Sequence, residues 1–187
     1  LGNHDFYDTS IENQQKNVSK IYKNIFYLPS STGIEVLPKT LMLGVDNWYE
    51  WQKSDEPQID IADFEKIQDF ESLSLQESSQ YCHHLAFLAT EQLKQKLEIA
   101  KLKGYTRVFI LMHVPPFHPT YYYSKERWIN DPYTCIHSCR TMRYFLELWS
   151  QENPEMEINV LSGHTHQKGF CRLGKIKSWV AKASTKQ

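Results

Sequence analysis

A chain of 187 residues can bury one sizeable core, and 41% hydrophobic with 23% charged residues is ordinary globular composition. A formal net charge of −1 gives no strong signal for nucleic-acid binding and no acidic excess that would argue for disorder. No apolar run approaches the roughly 20 residues of a membrane span.

In chain order, Gly2-Asn3-His4-Asp5 reads as a tight turn. Residues 9–23 are polar with sparse apolar points at Ile11, Val18, Ile21 and Tyr22, which predicts a short helix against one edge. Residues 25–28 predict a strand and Ser30-Ser31-Thr32-Gly33 a turn. Ile34–Leu37 and residues 41–45 predict two more strands around Pro38, whose missing N–H suits an edge or a bulge. Residues 47–75 are irregular, acidic and aromatic; a segment that long carries function or short helices of its own. Cys82, Leu85, Ala86, Ala89, Leu93, Leu97 and Ala100 form a helical stripe, with Ser78 or Ser79 as cap and Gly104 as stop. Residues 107–112 are a continuous apolar run, read as a strand buried on both faces. Asp131-Pro132 predicts a helix start, with Ile136, Cys139, Phe145, Leu146 and Trp149 as its apolar face. Residues 158–161 predict a strand, and 169–173 with 176–181 a hairpin around Gly174-Lys175. This alternation predicts a layered α/β fold (α+β by some schemes).

Cys82, Cys135, Cys139 and Cys171 contain no C-x-x-C pair, which argues against a finger-type zinc site. They read as small reduced core residues, which fits a reducing, cytoplasmic location.

Among eight histidines, His4, His113, His164 and His166 stand apart. Each follows a predicted strand, or for His4 sits in the opening turn, and each lies near Gly or Pro. Loops at the carboxyl ends of strands are where open α/β sheets bind ligands. His164-x-His166 can aim two imidazoles at one site if extended, and Asn3 adds a neutral amide oxygen beside His4. Imidazole suits zinc, iron, nickel or copper, and with oxygen ligands also manganese. His83, His84 and His137 fall on predicted helices and read as surface or structural. The aromatic loops Trp48-Tyr49-Glu50-Trp51 and 117–123 read first as packing, and second as walls for an organic phosphate.

"GNHD" at 2–5, "HVPP" at 113–116 and "GHTH" at 163–166, in that order, resemble the calcineurin-like metallophosphoesterase superfamily. The resemblance implies an α-β-β-α sandwich. It also implies two divalent metal ions (manganese, iron or zinc) with a bridging hydroxide, which hydrolyse a phosphomonoester or phosphodiester. Residue by residue, Asn3, His113 and His164 match ligands of one metal and His166 a ligand of the other. His4 matches the catalytic His, the general acid at the leaving oxygen. Asp5 fills the last position of its block, as a brace of the loop or as a catalytic group. The substrate would be a phosphorylated small molecule, a nucleotide or a phosphodiester. Gly-Asn-His-Asp rather than Gly-Asn-His-Glu argues against the protein Ser/Thr phosphatase branch.

The family's D-x-H and G-D-x-x-D blocks are absent. Asp60-Ile61-Ala62-Asp63 lacks the Gly and lies out of order. The expectation is therefore that residues 1–187 are the C-terminal part of a single metallophosphoesterase domain, inactive alone. The alternative is a non-catalytic scaffold on the same fold; four retained histidines argue against it, because a scaffold has no physical need of them.

Overall fold

The computed structural model describes residues 1–21, 25–51, 60–124 and 133–183. The apolar runs become a six-stranded mixed sheet of β1 (Ile34–Leu37), β2 (Thr40–Gly44), β3 (Arg107–Leu111), β4 (Glu157–Ser162), β5 (Gly169–Leu173) and β6 (Ile176–Val180). Its order is β1-β2-β3-β4-β6-β5. β2, β3, β4 and β6 are parallel, and β1 and β5 close the two edges as antiparallel hairpin partners. The register of β1 shifts between Glu35 and Leu37, the irregularity expected beside Pro38. The described helices are α1 (Ile11–Ile21), α2 (Ala62–Lys66), α3 (Leu75–Leu102) and α4 (Arg140–Glu152). The chain is thus mixed α/β.

Strand register decides what is buried. Leu41, Val108, Ile158 and Ile176 form one row across the sheet, with Leu43, Ile110 and Val160 in a second row on the same face. Cys82, Leu93 and Leu97 of α3 and Met142, Leu146 and Trp149 of α4 join them in one core. Burying the seven strand side chains alone contributes on the order of 10 kcal/mol. The alternate residues Met42, Phe109, Leu111, Leu161, Trp179 and Phe170 point the other way, and none of them joins that core. A continuous apolar run was expected to be buried on both faces; among the described residues only one face is closed over. Phe170 is 50% exposed, with its ring 5.2 Å from that of Trp179.

Several local expectations are corrected. Residues 25–28 are not a strand: Leu28–Ser30 is a 3-10 turn with Pro29 near its start. Its carbonyls serve a buried lysine rather than a ladder. Lys96 Nζ on α3 donates to the oxygens of Leu28, Pro29 and Gly44 at 2.9, 2.9 and 2.8 Å. The cap of α3 is Ser74, four residues before the earlier of the two expected serines. Ser74 Oγ accepts the Glu77 N–H, and Glu77 accepts the Ser74 N–H at 2.8 Å, a reciprocal cap. The Asp131-Pro132 start falls outside the described residues. Thr134–Ile136 is a 3-10 turn and α4 begins only at Arg140, so Cys135, Ile136, His137 and Cys139 precede the helix. Trp48, Tyr49, Trp51 and Phe117 are buried in the core, as the packing reading of the aromatic loops expected. Cys82, Cys139 and Cys171 are buried as expected, whereas Cys135 is only partly buried. Among the described residues no helix is long and apolar enough to cross a membrane.

Candidate functional site

Three loops meet at the carboxyl ends of β3 and β4. The first is the opening turn. Gly2 N–H donates to Asp5 Oδ2 at 2.8 Å and Asp5 N–H returns to Gly2 O at 3.1 Å, so Asp5 braces the turn. Phe6, buried against Trp48 with ring centroids 5.7 Å apart, anchors it to the core. The second loop carries His113, whose carbonyl accepts the Gly163 N–H at 2.9 Å, tying the β3 and β4 ends together. The third carries His164 and His166, both with left-handed backbones (φ 66° and 57°). Tyr123 holds this loop: its hydroxyl donates to the Gln167 carbonyl at 2.7 Å and lies 3.0 Å from Thr165 Oγ1.

The turn delivers Asn3 to a buried acid. Asn3 Nδ2 donates to both oxygens of Asp63, at 2.8 and 2.9 Å. The amide nitrogen is thereby spoken for, and Oδ1 faces His113 Nε2 at 2.9 Å. His164 Nε2 lies 3.0 Å from the Ile136 carbonyl, an acceptor only, so this nitrogen carries the proton. His164 Nδ1 then presents a lone pair, 3.2 Å from His113 Nε2.

Asn3 Oδ1, His113 Nε2 and His164 Nδ1 therefore converge. Separations of 2.9 and 3.2 Å are close to the edges of an octahedron whose metal–ligand bonds are about 2.1 Å, which are roughly 3.0 Å long. Two imidazoles and an amide oxygen are a fitting donor set for a first-row divalent cation. Among the described residues no three His, Cys, Asp or Glu side chains are grouped to hold a metal; here the third donor is the Asn3 amide.

The imidazoles are kept neutral, as ligands must be. His113 is pushed down to about 3 by burial and then by His164. His164 is lowered to about 4, burial outweighing the Ile136 carbonyl that favours its protonation. His113 also leans on the backbone of the turn: a Cβ at Gly2 would stand 2.7 Å from its Cε1 and 2.8 Å from its Nδ1.

Asn3, His164, His4 and His166 line one cavity of about 320 Å³. His4 and His166 are exposed at it, and the His4 ring lies 4.8 Å from that of Tyr7. His113 opens instead to a neighbouring cavity of about 430 Å³ over the ends of β2, β3 and β4, which also holds Asp46. Of the five residues singled out, three thus converge and two share the cavity beside them.

Two residues of this region were missed. Asp63, set aside because its block is out of order, is 2% exposed and also accepts the hydroxyls of Tyr7 and Tyr49, each at 2.8 Å. Its only sequence signal is an acid flanked by Ile61, Ala62 and Phe64. Tyr49 further supports the site by stacking on His164, with centroids 5.8 Å apart. His137, read as helical and peripheral, lies in the loop before α4 and lines the cavity, its ring 5.6 Å from His164. Burial, then His164, lowers it to about 3. His83 is structural: its ring nitrogens lie 2.8 Å from Glu50 and 2.9 Å from the Trp51 carbonyl. No protein-family profile and no curated protein matches the chain.

Proposed function

We propose that the chain belongs to a metal-dependent phosphoesterase of the calcineurin-like type, hydrolysing a phosphomonoester or phosphodiester. The observation that carries this reading is the convergence of Asn3 Oδ1, His113 Nε2 and His164 Nδ1 from three motif blocks far apart in sequence. The partly exposed apolar face of the sheet supports it as well, since in an α-β-β-α sandwich that face lies under a second β layer.

In this reading Asn3, His113 and His164 would hold one divalent cation, and His166, on the same cavity, would give a single ligand to a second, too few to retain it alone. Such cations supply Lewis acidity toward phosphoryl oxygens and a nucleophile at neutral pH. The chain's own groups do the rest. Asp63 and the Ile136 carbonyl fix Asn3 and His164 in orientation. His4, exposed at the cavity, would give its proton to the leaving oxygen. Tyr7, beside His4, limits where its ring can turn.

Equilibrium dialysis against Mn²⁺ or Zn²⁺ followed by elemental mass spectrometry tests the reading. One cation per chain is expected, with affinity falling tenfold or more in His113→Ala and His164→Ala and unchanged in His84→Ala on the exposed side of α3. No cation bound, or binding indifferent to His113 and His164, defeats it.

A further inference from the structure

The hydrogen bonds across the candidate site run in one direction. Asp63 can only accept, so Asn3 must present its NH₂ there and its oxygen on the far side. The Ile136 carbonyl can only accept, so His164 must present a lone pair at Nδ1. In the cation-free protein the remaining proton, on His113 Nε2, lies between Asn3 Oδ1 and His164 Nδ1, and it moves to Nδ1 when Nε2 serves as a ligand. If the Asn3 amide were turned over, its NH₂ would face His113 Nε2. That nitrogen would then have to be the acceptor, and the oxygen donor would be gone from the trio.

We propose that Asp63 is the positioning residue of this site: it sets the polarity of Asn3, and through Asn3 the tautomer of His113 and the capacity of the trio to take a divalent cation. The cation half of this rests on the reading of Asn3, His113 and His164 given above; the tautomer half does not. Asp63 has the build for the task. It is buried, it sits on α2, and Tyr7 and Tyr49 fix both its oxygens at 2.8 Å. Burial and the neighbouring Asp63 raise both tyrosines far above their ordinary range, so they remain donors at any working pH. Partners that orient a ligand in this way are commonly worth 10- to 100-fold in metal affinity.

The test compares wild type, Asp63→Asn, Tyr49→Phe and the exchange Asn3→Asp with Asp63→Asn. Two quantities are read: the His113 tautomer in cation-free protein, from long-range ¹H–¹⁵N correlation spectra, and Mn²⁺ or Zn²⁺ affinity by calorimetry. Wild type should show His113 protonated at Nε2. In Asp63→Asn one donor and one acceptor face Asn3, neither amide orientation is preferred, and His113 should populate both tautomers with cation affinity at least tenfold lower. Tyr49→Phe takes one hydroxyl from Asp63 and leaves the Asn3 pair intact, so the tautomer should stay at Nε2. The exchange restores an oxygen toward His113 and should recover both readouts. If Asp63→Asn keeps the pure Nε2 tautomer and wild-type affinity, the proposal is overturned. A tautomer that responds as expected in a protein that binds no cation upholds Asp63 and removes the metal reading instead. Should Asp63→Asn alone fail to fold, recovery in the exchanged protein carries the proposal, and an exchanged protein that is folded but unrescued overturns it.

Discussion

At residue scale the site depends on a side chain that is not there. His113 lies on the backbone of Gly2, where a methyl group would be 2.7 Å from the ring. The neighbour is an aromatic ring held at Nε2 by Asn3 and His164, so it cannot swing away cheaply. Gly2→Ala is therefore expected to destabilise the fold by about 1–3 kcal/mol, as overpacking does. It should also lower cation affinity more than tenfold, because the ring moves off Asn3. Urea unfolding and calorimetry on the same preparation check both; unchanged affinity with lowered stability would separate His113 from the site. Gly2, Asn3, His113 and His164 were legible in the sequence because each sits in a short motif whose chemistry is local. Asp63 was not, since its partner Asn3 lies 60 positions away and only tertiary packing brings an unremarkable helix residue under it.

At the scale of elements, α4 shows why its start was misplaced. Its N-cap residue, Cys139, offers the helix no side-chain cap. The cap comes from the loop after β2. Glu50 accepts the Thr141 N–H at 2.6 Å and the Thr141 hydroxyl at 2.7 Å, and its carboxylate also meets His83. A buried carboxylate at a helix N-terminus satisfies a free N–H and complements the helix dipole. Removing it in Glu50→Ala leaves those donors unsatisfied in a dry place, and a loss of about 2–3 kcal/mol is expected. Hydrogen exchange should show the first turn of α4 losing protection while β3 and β4 keep theirs. Uniform loss across the sheet would mean that Glu50 supports more than the helix end. No local pattern could have announced a cap that arrives from 91 positions away, whereas the Ser74–Glu77 pair was readable three residues apart and was passed over for later serines.

At the scale of the whole molecule, the described residues close the sheet on one side only. The apolar rows of the strands were read correctly as core, but a continuous run such as residues 107–112 does not tell one covered face from two, because both give the same composition. The partly exposed residues Phe109, Leu111, Leu161 and Trp179, with the exposed Phe170, give the chain an apolar surface of the kind that drives association. Sedimentation of the chain alone should show concentration-dependent self-association, and Leu161→Glu should reduce it without lowering helix content. Val160→Glu, one residue earlier but turned into the core, should unfold the protein instead. If the two substitutions behave alike, the division of the strand between a closed and an open face is wrong.

The left-handed backbones at His164 and His166 set the molecule's two demands against each other. Such a conformation costs a non-glycine residue of order 1 kcal/mol, and glycine adopts it freely. A population of variants sorted only for heat resistance would drift toward glycine at the exposed His166, whereas His164, stacked on Tyr49 and bonded to the Ile136 carbonyl, would lose more than it gains. The same drift would strip the cavity of one imidazole. Thermal selection on this chain would thus erode its chemistry first at the loop that displays it, and a stabilised variant is worth having only if 166 is held fixed.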